Sequence, residues 1–282
     1  MNELTAEVIS YVQENELDKL LNAEVVPVKK GIYESVDPSV VAPFPPVWDD
    51  LVRLHRLVRT RRVTTVLEFG CGYSTVVLAD ALAKNEKEFK TFVSANLRRS
   101  NAFEIHSVDD MDGYIKITRD RLATDLKKRV FFKQSDVQMT TFNGRICTEY
   151  VELPNIAPDF IYIDAPSQDS AKGEVSGIST RHADRLPMSC DLLKIEHFLL
   201  PGTFVLVDGR TANSQFLRLN LQRNWKYEQG VDSDTHTFEL CETPFGRYNK
   251  SQIEFCLGQE WLDLWASRTA PGRDGEIKTA EA

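Results

Sequence analysis

Residues 68–75 read Glu-Phe-Gly-Cys-Gly-Tyr-Ser-Thr. Two glycines in alternation behind an acid make a loop that can hold a ligand against the main chain. Gly70 and Gly72 reach backbone angles that other residues resist, and neither carries a Cβ to keep a ligand away. A helix that starts directly behind such a loop adds N–H groups with no partner inside the helix. Single acids then recur at Asp109, Asp136, Asp164 and Asp208. One strand-end aspartate often does no more than cap a helix; an ordered series of them is harder to dismiss. His182 stands in a polar stretch, and an imidazole titrating near neutrality is a natural proton acceptor.

These residues matter only if the chain brings them to one edge. The hydrophobic pattern predicts strands at 63–69, 102–108, 129–134, 159–164 and 203–209. Between them it predicts helices at 74–84, 111–126, 187–200 and 212–223, with Ser74 as the cap of the first. Strand–helix alternation gives a parallel sheet covered by helices on both faces. Two close segments, 225–230 and 235–242, read as a terminal strand pair with one antiparallel member. In such sheets ligands bind outside the carboxyl ends of the strands. Every acid named above falls at a strand end. The segment 85–101 reads as a polar insertion and 142–154 as a small hairpin. Segment 165–186 is long and polar, the length of a functional lid; it carries Asp169, Lys172, His182 and Asp184. Before the sheet, Pro46 opens a helix over 47–60 whose apolar side is Val47, Leu51, Leu54 and Val58. The expected organisation is an N-terminal helical extension (1–60), an α/β domain (61–265) and a disordered tail (266–282).

Two cofactor classes compete for the glycine loop. A dinucleotide fingerprint needs Gly or Ala where Thr75 stands and an acid about 20 residues on. The acid here, Asp109, lies 39 residues beyond Gly70. The segment VLEFGCG (66–72) instead resembles the first motif of class I S-adenosylmethionine-dependent methyltransferases, with Ser74 replacing the third glycine. The resemblance extends over about residues 63–240: SVDD (107–110), QSD (134–136), PDFIYID (158–164) and LLPGTFVLVDGR (199–210) match later segments in order. It implies a doubly wound, mostly parallel seven-stranded Rossmann-like sheet with S-adenosylmethionine as cofactor. Glu68, Gly70, Gly72 and Ser74 would form the cofactor loop and Asp109 would bind the ribose hydroxyls. Ser135 and Asp136 would meet the adenine, and Asp164 the cofactor or substrate.

Asp164 and Asp208 end neighbouring strands. Their placement resembles the metal-dependent catechol-type O-methyltransferases, where two such carboxylates and an Asn hold magnesium. Here Gly209 occupies the Asn position, and Ser167 stands where a lysine base is usual. Magnesium at Asp164 and Asp208, or proton removal by His182 with Asp164, are the two expectations. The arrangement resembles bacterial methyltransferases encoded with surface-polysaccharide genes, which points to O-methylation of a sugar or small metabolite. Asp164-Ala165-Pro166-Ser167 lacks the amino-methylating D/N-P-P-Y/W signature. The alternatives are a non-catalytic methyltransferase-like binding or assembly protein, and a nicotinamide-dependent oxidoreductase.

Composition narrows the partners. Lys plus Arg number 34 against 42 Asp plus Glu, a net charge of −8. That argues against a nucleic-acid footprint. No apolar run approaches a membrane span, and the acidic N-terminus does not read as a signal peptide; the expectation is a cytoplasmic protein, by default a homodimer. Cys71, Cys147, Cys190, Cys241 and Cys256 show no C-x-x-C spacing and read as free thiols. Arg53, Arg56, Arg59, Arg61 and Arg62 read either as a solvated face or as an anion-recognising one.

Overall fold

Five successive buried residues, Thr65–Phe69, make β1. A strand buried on both faces is an apolar run rather than an alternation, and β1 lies in mid-sheet. The structure, a computed structural model, describes residues 4–28 and 45–266. In chain order β1 is followed by β2 (Glu104–Asp109), β3 (Val130–Gln134), β4 (Val137–Phe142), β5 (Arg145–Tyr150), β6 (Phe160–Ile163), β7 (Phe204–Asp208), β8 (Trp225–Gly230) and β9 (Thr235–Leu240). Seven strands form one sheet in the order β3-β2-β1-β6-β7-β9-β8, and β4 and β5 pair separately. Within that sheet β9 alone runs opposite to the other six strands. The strand order reverses at β1, between β2 and β6.

Alternate residues of the central strands point to opposite faces. One face is covered by α1 (Ala6–Glu14), α2 (Leu17–Leu21), α3 (Trp48–Thr60) and α4 (Tyr73–Asn96). Val12, Leu17, Trp48, Leu54, Val58 and Val77 pack there with Val66, Phe160, Tyr162 and Leu206. The N-terminal helices therefore share the core of the sheet. The other face is covered by α7 (Asp191–Ile195), α8 (Thr211–Asn220) and the β4–β5 hairpin. Leu193, Leu217, Cys147 and Tyr150 pack there with Leu67, Phe69, Ile161 and Val207.

Several elements differ from expectation for physical reasons. Helix α4 runs on to Asn96, through residues that read as an insertion; its far half is polar because little covers it. The hairpin begins at Val137, and its turn is Asn143-Gly144, both at positive φ (49° and 75°), the geometry a two-residue hairpin turn requires. The expected helix 111–126 divides into α5 (Asp112–Arg121) and α6 (Thr124–Lys127). The expected helix 187–200 shrinks to α7 and one 3₁₀ turn, because residues 188–190 are drawn onto β5: Thr148 N–H donates to Met188 O at 2.7 Å and Cys190 N–H to Thr148 O at 2.9 Å. Two helices, α9 (Gly246–Leu257) and α10 (Gln259–Ala266), follow the last strand and were not anticipated. The expected tail lies beyond Ala266, outside the described residues.

Four arginines of the basic stretch are spent within the fold. Arg53 pairs with Asp50 at 2.7 Å, Arg56 with Glu7 at 2.6 Å, Arg59 with Glu88 at 2.7 Å and Arg61 with Glu239 at 2.8 Å. The last three tie α3 to α1, α4 and β9. All five cysteines are free thiols. Among the described residues no helix is long and apolar enough to cross a membrane.

At the opposite edge from the glycine loop, the buried Asp159 accepts from Thr65 N–H at 2.7 Å, from Thr64 N–H at 3.0 Å and from Thr64 Oγ1 at 2.7 Å. The buried Arg99 stands 3.6 Å away. Asp159→Ala orphans two N–H groups and a buried cation. A loss of about 3 kcal/mol in urea unfolding is expected; a loss below about 1 kcal/mol would show that this edge rearranges freely.

Candidate active site

Glu68 points from β1 toward α4 and is fully buried. Ser74 Oγ donates to its Oε1 at 2.7 Å; Thr75 Oγ1 and Ser107 Oγ donate to its Oε2 at 2.6 and 2.8 Å. Thr75 Oγ1 also accepts from Gly72 N–H at 3.0 Å. Burial pushes the Glu68 carboxyl up to about 7, opposed by the three hydroxyls. Glu68 therefore lies behind the glycine loop and holds it, rather than facing a ligand. Ser74 is not the helix cap: α4 starts at Tyr73 with Gly72 at the cap position, and the Ser74 hydroxyl is committed to Glu68.

The loop is fixed on two further sides. Gly70 has φ of +90°, and a Cβ there would come within 2.8 Å of Ala165 Cβ. Only glycine lets the loop close on the segment leaving β6. Asp109, 6 % exposed, accepts from Cys71 N–H at 2.9 Å and Met111 N–H at 2.8 Å. Burial raises its pKa, while those two N–H groups work against the rise. A Cβ on Gly72, by contrast, would meet nothing within 4 Å. The loop is open on that side, and Asp110, half-buried, follows Asp109 in the chain.

The other expected residues are spread along the same edge. Ser135 Oγ accepts from Glu152 N–H at 2.9 Å, so it fastens the chain beyond the hairpin. Asp136 is exposed and pairs with Lys172 at 2.7 Å, a contact worth little in solvent. Asp164 follows β6 with its side chain 58 % exposed. Its carbonyl accepts from Arg210 Nη2 at 2.6 Å, and Pro166 O accepts from Arg210 Nη1 at 2.7 Å. Asp208 accepts from Tyr162 Oη at 3.1 Å. Burial, then the charges of Asp164 and Asp208, push the Tyr162 phenol well up, so both carboxylates bear on one hydroxyl. Among the described residues no group of three or more His, Cys, Asp or Glu converges as a metal cage. His182 is set apart from Asp164 and Asp208 in its hydrogen bonding. Its Nδ1 accepts from Asp184 N–H at 3.2 Å, and its carbonyl takes Gln168 Nε2 at 3.4 Å.

Five parallel strands, a glycine loop after β1, an acid after β2 and a reversed β9 beside β7 now stand together. This is the class I methyltransferase fold. Among solved structures the chain is similar to an O-methyltransferase from Bacillus cereus in complex with SAH, at 14 % identity over 85 % of this chain and 93 % of that one, with a TM-score of 0.38. It is similar to an SAH-bound methyltransferase of Podospora anserina at 12 % identity over 85 % and 89 %, with a TM-score of 0.41. No family model matches the chain, and no curated protein matches it.

Within this methyltransferase fold, sequence reasoning missed three residues. Thr75 counted only as a departure from a dinucleotide motif, yet its hydroxyl bridges Gly72 and Glu68. Arg210 closed a motif segment without a role of its own, and it braces the exit of β6. Tyr150 sat inside an expected hairpin, and its ring packs on Phe69 with centroids 5.8 Å apart.

Glu68 gives a pH test. Its carboxyl titrates near 4.5 when exposed and near 7 in the fold. Between those values the folded state holds a proton that the unfolded state has released, so stability falls as pH rises. The window amounts to about 3 kcal/mol. Asp191, pushed up to about 6 by burial, adds a slope of the same sign, so the reading is the difference between wild type and Glu68→Gln. The wild type should lose stability relative to the variant from about pH 4.5 to 7; parallel urea-unfolding curves at all pH values would refute a protonated Glu68.

Proposed function

We propose that the chain is an S-adenosylmethionine-dependent methyltransferase that methylates a hydroxyl of a sugar or other small metabolite. The observation that carries this reading is the strand order with its reversed β9, joined to a glycine loop with open space at Gly72. The residues present suit the cofactor. Gly72 leaves room for a ligand at the first turn of α4, whose N–H groups are unpaired within the helix. Each oxygen of Asp109 keeps accepting capacity beyond its one N–H bond, and Asp110 adds a second carboxylate for the ribose hydroxyls. Asp136 can turn from Lys172 to an adenine amino group at small cost, since their ion pair is exposed.

The cofactor supplies a methyl group already activated on a sulfonium. What remains for the chain is to orient the acceptor and take its proton. Asp164 is an exposed carboxylate at this edge beside Arg210, and His182 in the segment after β6 is the alternative proton acceptor. Magnesium at Asp164 and Asp208 would require further oxygen ligands, such as water. Ser167 and Gly209, where the resemblance has Lys and Asn, support a second reading: a domain that binds the cofactor without turnover.

Calorimetric titration of the purified chain with S-adenosylhomocysteine, with and without magnesium, separates these readings. Binding in the micromolar range, about −8 kcal/mol, is expected, and NADH should give no heat. Asp109→Ala should abolish it, because the change removes both the clip on Cys71 and an acceptor for the ribose. Absence of heat from the wild type in both buffers would end the methyltransferase reading. Binding without methyl transfer across a broad panel of sugars and phenols would leave only the second one.

A further inference from the structure

Two histidines, His55 and His236, are fully buried. His55 is bonded to Tyr11 and Asp80, among the helices that cover one face of the sheet. His236 is placed differently. It lies on β9, one residue after Thr235, the register partner of Asp208. Its Nδ1 stands 2.8 Å from Tyr227 Oη and its Nε2 3.0 Å from Thr211 Oγ1. Gln215 Nε2 donates to the same Tyr227 oxygen at 3.2 Å. The Tyr227 ring lies along the imidazole, with centroids 5.9 Å and planes 20° apart. One ring nitrogen is thus aimed at a phenol and the other at the hydroxyl of an exposed residue.

That exposed residue belongs to the working edge. Thr211 opens α8, three residues past Asp208. Its neighbour Arg210 donates to Asp164 O at 2.6 Å and to Pro166 O at 2.7 Å. Gly70 closes on the same segment, where a Cβ would come within 2.8 Å of Ala165 Cβ. The start of α8 and the glycine loop therefore bear on the same three residues, 164–166. The Thr211 hydroxyl is not spent on capping: Arg210 holds the cap position, and no side chain bonds there. Beyond its contact with His236, the hydroxyl oxygen keeps a lone pair for another donor. A hydroxyl bonded to an imidazole that a third group orients is an arrangement suited to moving a proton. Burial holds the His236 pKa below its ordinary value, with Asp234 opposing, so the ring is neutral near pH 7 and can take a proton. Arg218 on α8 lies over the Tyr227 ring at 4.8 Å.

We propose that Thr211 meets the hydroxyl of the methyl acceptor and that His236 takes the proton through it. The proposal rests on the methyltransferase reading above and replaces Asp164 and His182 as proton acceptors. Thr211 Oγ1 donates to Nε2 while accepting from the acceptor O–H. As the acceptor oxygen bonds to the methyl carbon, the carbon–sulfur bond breaks and its electron pair stays on sulfur. The acceptor's proton passes to Thr211, and the proton of Thr211 passes to Nε2. The imidazolium then donates from Nδ1 to Tyr227 Oη and from Nε2 to Thr211 Oγ1, two oxygens already in place, until solvent takes the proton. In this role the resting ring carries its hydrogen on Nδ1, and the Tyr227 oxygen accepts from it and from Gln215. Thr211 touches the acceptor, and His236 acts through Thr211.

Nitrogen-15 NMR of histidine-labelled protein at about pH 8, above the ordinary imidazole pKa, reads that tautomer. The His236 ring is the one whose signals shift in both Thr211→Val and Tyr227→Phe, changes that keep side-chain volume. Its Nε2 is expected where an unprotonated, hydrogen-bonded ring nitrogen resonates. Thr211→Val should move it toward the position of a free lone pair, and Thr211→Ser should restore it. A protonated Nε2 in the wild type overturns the proposal, because no lone pair then faces Thr211. So does the absence of any ring that both variants shift. With any acceptor that the wild type methylates, Thr211→Val should lower kcat about a hundredfold or more; an unchanged kcat overturns the proposal. Thr211→Val should bind S-adenosylhomocysteine within about twofold of wild type, and a loss of about tenfold overturns the proposal by placing Thr211 on the cofactor. Failure of the wild type to bind that probe is a different result: it removes the methyltransferase reading itself, whatever the tautomer.

Discussion

A single buried carboxylate organises the working edge of this protein. Glu68 has no solvent, and a buried anion without donors is far costlier than most folds can bear. Its three donors come from two separate stretches of chain: Ser74 and Thr75 on α4, and Ser107 on β2. Ser107 is the register partner of Glu68 across the parallel ladder, so the pairing of β1 with β2 delivers that hydroxyl. The start of α4 must deliver the other two. This explains why Ser74 is not used as a cap and why a threonine stands at position 75, where a nucleotide fingerprint would put glycine. A glycine there would leave Glu68 Oε2 with one donor and Gly72 N–H with none from the side chain.

With Glu68 satisfied, the rest of the loop follows. Asp109 draws Cys71 N–H toward β2, and Gly70 closes on Ala165. The loop is held from beneath, from the β2 side and from the β6 side, and Gly72 keeps open space beside it. Arg210 performs the matching task at the exit of β6, where two carbonyls take its guanidinium. Binding to such an edge needs little rearrangement of the main chain, and preorganisation of this kind reduces the entropic cost of binding.

How far the sequence reveals this depends on what each residue reports. The central strands were legible because runs such as 65–69 and 160–163 are buried on both faces and bounded by loops. The acids at strand ends were legible for the same reason: a polar residue closing an apolar run must point somewhere specific. Their roles were not legible. Glu68 and Asp109 look alike in sequence, but one faces α4 hydroxyls and the other main-chain N–H groups, and only register and helix start decide between them. Helix α4 was cut short because its second half, from Glu86 to Asn96, is mostly polar and its few apolar residues, Phe89, Phe92 and Val93, pack in a separate small cluster with Phe255. The hairpin was placed five residues late because Val137 follows β3 after only two residues, with no turn signal of its own. Helices α9 and α10 escaped notice because tertiary packing, against residues such as Gly202 and Phe89, supplies what local pattern does not.

The hairpin also fixes the long segment after β6. An isolated two-stranded ribbon exposes two edges, and exposed edges recruit partners. Here both edges are taken by the long segment after β6. Lys172 N–H donates to Val137 O at 2.8 Å and Met139 N–H to Lys172 O at 2.9 Å, while residues 188–190 pair with Thr148 on the other side. A segment that reads as a free lid is therefore clamped at both ends to β4 and β5. The stretch between carries His182 and the exposed Ile178 and Leu186. The hairpin is itself anchored through Ser135 to the end of β3. A change in the hairpin's packing would reach the end of β3 and the segment after β6 together, because the same few main-chain hydrogen bonds fix both.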